Sequence, residues 1–160
     1  MEAGEPLEQE PAGPSESEGF LARGTWHASA VREERVELPG GLRAPQLARR
    51  AVEQHFSAAL DADRLASVEL LTTELVSNAV RHGGAGDGKT VILHVALAPG
   101  CLRIEVCDPG KGFDAGKPSP YGEGGYGLFI VSEVSSRWGV AHDVDNCAWF
   151  ELDLPAGEGA

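Results

Sequence analysis

The segment LTTELVSNAVRH, from Leu71 to His82, carries a carboxylate and a carboxamide one helical turn apart, Glu74 and Asn78. At 100° per residue, both lie on the side opposite the apolar positions, in a quadrant that they share with Arg81 and His82. Carboxylate and carboxamide oxygens are ligands that Mg²⁺ accepts together with its water shell. A solvated helix face would carry the same residues, so this segment alone leaves both interpretations open.

A second candidate lies at the end of a predicted strand. In RIEVCDPGKGF, residues 103–113, Asp108 closes the strand and is followed by Gly110 and Gly112. An ionised carboxylate only accepts hydrogen bonds, and it can receive one from an amino group such as the exocyclic amine of adenine. Glycines beside it let the backbone approach a flat ring closely. A plain Asp-Pro-Gly turn is the alternative.

A third candidate is GGYGLFI, residues 124–130, in which glycines open an apolar helix. The exposed N–H groups at the start of a helix can bind an anion such as a phosphate. An ordinary joint between a loop and a helix would have the same composition.

Two nucleotide-binding patterns occur by letter but do not fit their context. GGAGDGKT, residues 83–90, matches the phosphate loop, which needs a strand before it and a helix after it. Here a helical pattern precedes the match and the alternating run TVILHVALA follows it, so we interpret it as a helix-to-strand connector in which Lys89 has no phosphate to bind. GEGGYG, residues 122–127, matches the dinucleotide fingerprint, but a loop sequence precedes it where a strand is required.

Composition narrows the class of partner. The 160 residues include 25 acidic and 13 basic side chains, a formal net charge of −12. Such a chain repels phosphate backbones and anionic membranes, so we expect no direct nucleic-acid or membrane binding. We find no signal peptide and no apolar run long enough to span a bilayer, and the cysteines Cys101, Cys107 and Cys147 have no metal-binding spacing. We therefore predict a cytoplasmic protein with three reduced, buried thiols.

The hydrophobic patterns predict an α+β fold, a two-layer sandwich with helices on one face of a mixed, largely antiparallel sheet. Residues 1–24 hold six Glu, one Arg and three Pro and predict a disordered acidic tail. We expect a folded domain over 25–155 and a C-terminal tail over 156–160. The predicted elements are a strand at 35–38, helices at 44–60 and from 62 to about 82, hairpin strands at 91–97 and 102–107, a helix at 126–137, and strands near 140–142 and 148–154.

Three stretches in this order, E-L-V-S-N-A-V-R-H, V-C-D-P-G-K-G-F and G-G-Y-G-L-F-I-V, resemble the N, G1 and G2 boxes of the GHKL ATPase/kinase superfamily. The resemblance runs from about Glu34 to Pro155. Within the superfamily, the chain looks most like the RsbW/SpoIIAB-type anti-sigma factor serine kinases.

The resemblance implies a Bergerat-type ATPase fold and an ATP- and Mg²⁺-dependent kinase. In the N box, Glu74 matches the general base, Asn78 matches the Mg²⁺ ligand, and Arg81 and His82 match positions on the phosphate and lid side. In the G1 box, Asp108 matches the residue that recognises adenine. The remaining matches are Gly110 and Gly112 of the same box, Gly125, Tyr126, Gly127 and Leu128 around the triphosphate, and a short lid over 114–123.

The same resemblance implies partners. These are a STAS-type anti-anti-sigma factor as the phosphorylation substrate, a sigma factor, and a second copy of the chain in a homodimer. Two positions depart from the family pattern: Cys147 stands where Thr is usual, and Tyr126 where Arg is common. Alternatives are a nucleotide-dependent binding regulator without phosphotransfer and a detached histidine-kinase catalytic domain, although the chain lacks a helix pair with a phosphoacceptor His ahead of the N box.

Overall fold

The structure is a computed structural model that describes residues 32–108, 126–141 and 146–156. Its described elements are three helices and five strands, and the strands form one sheet in the order β1-β2-β3-β5-β4 with every pairing antiparallel. This confirms the predicted α+β class. The elements are β1 (Arg32–Pro39), α1 (Ala44–Phe56), α2 (Ala62–Arg81), β2 (Thr90–Ala98), β3 (Cys101–Asp108), α3 (Tyr126–Val134), β4 (Arg137–Ala141) and β5 (Asn146–Asp153).

Local signals determine where α2 begins and ends. Asp61 is the N-cap, and its side chain accepts a hydrogen bond from the backbone N–H of Arg64 at 2.8 Å, which satisfies one free donor of the first turn. After Arg81, the N–H of His82 still donates to the carbonyl of Asn78 at 2.9 Å. Gly84 follows with a φ of 79°, a conformation that favours glycine and ends the helix.

The connector at residues 83–89 joins α2 to β2, so the phosphate-loop pattern lies between a helix and a strand. Its carbonyls bind the turn after β1: Gly40 N–H donates to Lys89 O at 2.7 Å, and Gly41 N–H donates to Ala85 O at 2.9 Å. Because a strand rather than a helix follows Lys89, no helix N-terminus is available there to hold phosphates. The interpretation of GGAGDGKT as a connector is confirmed.

One apolar core lies between the helices and the sheet. It takes alternate residues from the strands, because neighbouring side chains on a strand point to opposite faces. The side chains of α1, α2 and α3 pack on this helix-facing side of the sheet. The buried strand residues on it are Leu38, Val91, Leu93, Val95, Leu97, Leu102, Ile104, Val106, Ala148, Phe150 and Leu152.

The opposite side of the sheet, which we call the outer face, is also buried in its middle. Arg103, Glu105 and Glu151 are 0%, 1% and 2% exposed. Arg103 donates to Glu151 at 2.8 Å and to Glu105 at 3.2 Å, and its guanidinium lies 4.1 Å from the ring centre of Trp149. Arg137 extends this network by donating to the second oxygen of Glu151 at 2.6 Å. Charge pairing therefore replaces apolar packing on the outer face.

Two predicted helix ends were wrong. The helix expected over 126–137 ends at Val134, and Arg137 begins β4. Hydrogen bonds to β5 account for this, since Ser136 N–H donates to Glu151 O at 2.9 Å and the Arg137 side chain bonds Glu151. The first helix ends at Phe56 rather than at residue 60.

The prediction of three reduced thiols is also wrong for this structure. Cys107 and Cys147 form a disulfide across β3 and β5, while Cys101 is a half-buried free thiol whose pKa is raised by its burial. The two bonded residues are 40 positions apart in sequence, and only the register of β3 against β5 places them opposite each other. In the part of the chain that the structure describes, no helix has the length and apolar character needed to cross a membrane.

Candidate functional site

Glu74 and Asn78 of α2 meet the first turn of α3 at Gly127. A Cβ placed on Gly127 would lie 2.6 Å from Glu74 Oε2, 3.5 Å from Asn78 Nδ2 and 3.6 Å from Asn78 Oδ1. Only a residue without a side chain lets the backbone of α3 approach both groups this closely. Two sequence candidates therefore belong to one site: the pair Glu74 and Asn78 on α2, and the glycine segment that opens α3.

The side chain of Asn78 has a buried nitrogen that donates to no hydrogen-bond partner in the described part of the chain. The side chain is 4% exposed, and its Nδ2 has no hydrogen-bond partner among the described residues. Leaving such an atom buried and unsatisfied costs about 1–3 kcal/mol. The two ends of a carboxamide are interchangeable by rotation, so its oxygen can occupy the same position. An amide oxygen held beside a carboxylate is a donor set that fits Mg²⁺.

Asp108 lies just beyond the C-terminal end of α2, next to Gly83. The residue is 5% exposed, and a Cβ added at Gly83 would collide with Asp108 Oδ2 and would lie 2.8 Å from Ala79 O. Gly83 N–H donates to Ala79 O at 3.0 Å, which holds the connector against the last turn of α2. Gly83 is thus a positioning residue for the Asp108 carboxylate.

A pocket opens beside Asp108, which we call the strand-end pocket. Its walls combine apolar side chains with two polar groups, Asp108 and Asn146, which face each other across β3 and β5. Apolar walls beside a carboxylate acceptor suit a ring that carries an amino group. The lining residues are Leu75, Ala79, Val106, Asp108, Val140, Asn146, Cys147 and Ala148.

Other residues predicted for the site lie around these two centres. Arg81 and His82 are exposed at the C-terminal end of α2. Tyr126 is 58% exposed and stacks on Phe129 with ring centres 6.4 Å apart. Leu128 is 1% exposed in the core, so its contact with any ligand is limited to its backbone. Gly110, Gly112, Gly125 and the lid at 114–123 lie outside the described residues.

Sequence reasoning missed several residues of the strand-end pocket. Leu75 and Ala79 have the apolar character of core residues. Each directly follows a predicted site residue of α2, Glu74 or Asn78, and is therefore rotated from it by only 100° about the helix axis. Asn146 and Val140 come from the final strands, and only the pairing of β5 with β3 and β4 brings them to the pocket. Gly83 follows a helical pattern and is typical of a helix stop, and no sequence signal distinguishes that role from contact with Asp108.

Comparison with protein families agrees with this geometry. Residues 39–151 match the model of the histidine kinase-like ATPase domain. No curated protein sequence matches the chain. The matched range contains Glu74, Asn78, Asp108 and Gly127, as well as every described residue that lines the strand-end pocket. The chain belongs to the histidine kinase-like ATPase family of the GHKL superfamily, whose members bind ATP.

Proposed function

We propose that the protein is an ATP- and Mg²⁺-dependent serine/threonine kinase of the anti-sigma factor type, which phosphorylates a STAS-domain antagonist. The observation that carries the proposal is the convergence of Glu74 and Asn78 on Gly127. A module that only bound nucleotide would need the metal ligand and the adenine pocket. It would not need the half-buried carboxylate of Glu74, which α2 places against the first turn of α3.

The strand-end pocket holds the adenine end in this proposal. Asp108 accepts a hydrogen bond from the exocyclic amine, and Leu75 and Ala79 contact the ring. Asn78 would hold the magnesium ion, which supplies charge neutralisation for the triphosphate when it is bound. The backbone at Gly127, which lies against the Glu74 carboxylate and the Asn78 carboxamide, borders the triphosphate side.

Glu74 acts as the general base. Its carboxylate accepts the proton of a serine or threonine hydroxyl as that oxygen approaches the γ-phosphate. Phosphoryl transfer depends mainly on positioning and on charge stabilisation, so one carboxylate in the right place is the main demand on the protein. The acidic chain is consistent with this arrangement, because backbone dipoles and a metal ion, rather than a cluster of lysines, would meet the phosphates.

The partners follow from the proposed subfamily. We propose that the protein acts in the cytoplasm as a homodimer and that it also holds a sigma factor. The net charge of −12 disfavours direct contact with nucleic acid, so any effect on transcription would pass through a protein partner.

The test is transfer of labelled phosphate from ATP to purified STAS proteins in the presence of Mg²⁺. We expect the wild type to label one of them on serine or threonine. Glu74→Ala should lose at least about 100-fold in rate, within the range typical of a general base, while it still binds ATP. Tight ATP binding by the wild type without transfer to any STAS protein would contradict the kinase and favour a nucleotide-dependent binder.

A further inference from the structure

The disulfide lies directly against the strand-end pocket. Cys107 precedes Asp108 in β3 and Cys147 follows Asn146 in β5, and the four residues form two successive cross-strand pairs. Asp108, Asn146 and Cys147 all line the pocket. The covalent bond between β3 and β5 is therefore one residue away from the two polar groups of the pocket.

This position makes the pocket sensitive to the state of the bond. In the disulfide, the Cα atoms of Cys107 and Cys147 are 4.1 Å apart. Two thiol sulfurs repel each other at bonding distance, so reduction forces the side chains or the strands to separate. Asp108 and Asn146 are the next pair along both strands, so they lose the covalent constraint beside them and keep only the non-covalent pairing of β3 with β5.

The surroundings of the bond distinguish it from a purely structural link. Cys107 and Cys147 are 4% and 3% exposed, so a reductant needs a local opening. A reductant can reach the disulfide from the β4 side of Cys147. There Cys147 pairs with Ala141, the last residue of the five-residue edge strand β4. Opening the end of an edge strand costs less than unfolding the whole domain. In a cytoplasmic protein, disulfides are usually catalytic or redox-sensing.

The outer-face neighbours of the bond argue against a metal centre. The sulfurs of Cys107 and Cys147 lie within 4.8 Å of a carboxylate oxygen of Glu105, a grouping that could hold a cation if the thiols were free. Glu105 is instead paired with Arg103, whose charge would repel a cation at this position. Redox chemistry is the use that these contacts favour.

We propose that Cys107 and Cys147 form a thiol–disulfide switch that sets the affinity of the strand-end pocket for adenine nucleotides. The disulfide form holds the pocket ready for the ligand. The reduced form must order the Asp108–Asn146 pair on binding and therefore binds more weakly. The proposal rests on nucleotide binding at this pocket, which the proposed function also requires, but it does not depend on phosphotransfer.

The chemistry balances with a dithiol reductant. One thiolate of the dithiol attacks a sulfur of the Cys107–Cys147 bond and displaces the other as a thiolate, which forms a mixed disulfide. The second thiolate of the dithiol then releases the remaining cysteine. Two electrons and two protons pass to the protein, which gains two thiols, while the dithiol is oxidised to its own disulfide.

The experiment measures the Kd of a fluorescent ATP analogue with Mg²⁺ on the full-length chain, before and after dithiothreitol treatment without air. Alkylation and mass measurement report the state of each cysteine in the same samples. We expect a Kd about fivefold or more higher after reduction, with the original value restored on reoxidation. Cys101→Ser is the matched control and should keep the full response, because Cys101 lies at the opposite end of β3.

The double variant Cys107→Ser, Cys147→Ser should have the weaker affinity with or without reductant. Failure of Cys107 and Cys147 to become protected from alkylation after mild oxidation would overturn the proposal. A Kd that changes by less than about twofold on reduction, where coupled sites typically differ at least fivefold, would overturn it as well. Absence of nucleotide binding in both states would overturn the pocket itself, whereas binding without phosphotransfer contradicts only the kinase.

Discussion

The two faces of the central sheet bury polar groups in different ways. On the outer face, Arg103 is bound to both Glu105 and Glu151, and Arg137 takes the second oxygen of Glu151. On the helix-facing side, the buried Nδ2 of Asn78 has no partner among the described residues, and Asp108 lines an open pocket. Burial alone therefore does not mark a functional residue. The outer-face charges pair with one another, whereas Asp108 borders a pocket and Asn78 lies against the start of α3.

The comparison predicts different consequences for substitutions on the two faces. A charge that is paired within the protein contributes to folding, and removing its partner leaves an uncompensated buried ion. A polar group that borders a pocket is placed to contact a ligand, and changing it should affect binding more than the fold. Each prediction below tests one side of this difference.

The largest effect should come from Glu151→Ala on the outer face. It removes the carboxylate that both Arg103 and Arg137 bind, and leaves Arg103 buried with less compensation. We expect a loss of about 3–5 kcal/mol in the free energy of unfolding, measured by urea denaturation. The folded fraction should bind ATP with unchanged Kd. A loss below about 1 kcal/mol, the size typical of exposed pairs, would show that this network is solvated.

Asp108→Asn should have the converse effect. The substitution keeps the shape of the side chain but can turn a donor toward the adenine amine, where an acceptor is required. Calorimetric titration should show ATP binding about 10- to 100-fold weaker, as expected for a lost hydrogen bond to a charged group. The free energy of unfolding should change much less than in Glu151→Ala. Unchanged ATP affinity would place the adenine pocket elsewhere.

A smaller effect is expected from Gly83→Ala, which tests whether contact with the connector positions Asp108. The new methyl group would displace the carboxylate of Asp108 and would also press on the backbone carbonyl of Ala79 at 2.8 Å, although the φ of Gly83 is not positive. We expect ATP binding to weaken about three- to tenfold, less than the loss of a charged hydrogen bond. Gly86→Ala is the matched control, because a Cβ at Gly86 meets nothing within 4 Å. Equal effects of the two substitutions would contradict the positioning role.

The smallest effect should come from Lys89→Ala, in the connector that matches the phosphate-loop pattern. Lys89 is exposed immediately before β2; its backbone carbonyl accepts from Gly40 N–H at 2.7 Å, and its own N–H donates to Gly86 O at 3.1 Å. Alanine keeps both backbone groups, so the Kd for ATP should stay within about twofold of the wild type, since surface changes rarely exceed ±0.5 kcal/mol. A large loss of affinity would restore the phosphate-loop interpretation.

Much of the helix-facing side was predictable because it depends on local patterns. The spacing of Glu74 and Asn78 reflects the 3.6-residue period of α2, and the position of Asp108 reflects the end of an alternating strand. The order of helix and strand around GGAGDGKT likewise sufficed to reject a phosphate loop. These inferences need only short windows of sequence.

The outer face and the disulfide were not predictable in the same way. Arg103, Glu105 and Glu151 alternate with apolar residues, a pattern that a solvated sheet face would also have. Cys107 and Cys147 carry no pairing signal at a separation of 40 residues. Both depend on the register of β3 against β5, and a shift of one residue would separate all of these partners. The contact of Gly83 with Asp108 likewise depends on tertiary structure, because the packing of α2 on β3 brings the two residues together.

The most direct test of the central claim is a crystal structure of the protein with a non-hydrolysable ATP analogue and Mg²⁺. We expect the adenine amine within hydrogen-bonding distance of the Asp108 carboxylate, the ring against Leu75 and Ala79, and the amide oxygen of Asn78 on the metal ion. A nucleotide bound at the Lys89 connector or on the outer face, with Asn78 and Asp108 left without contact, would contradict it.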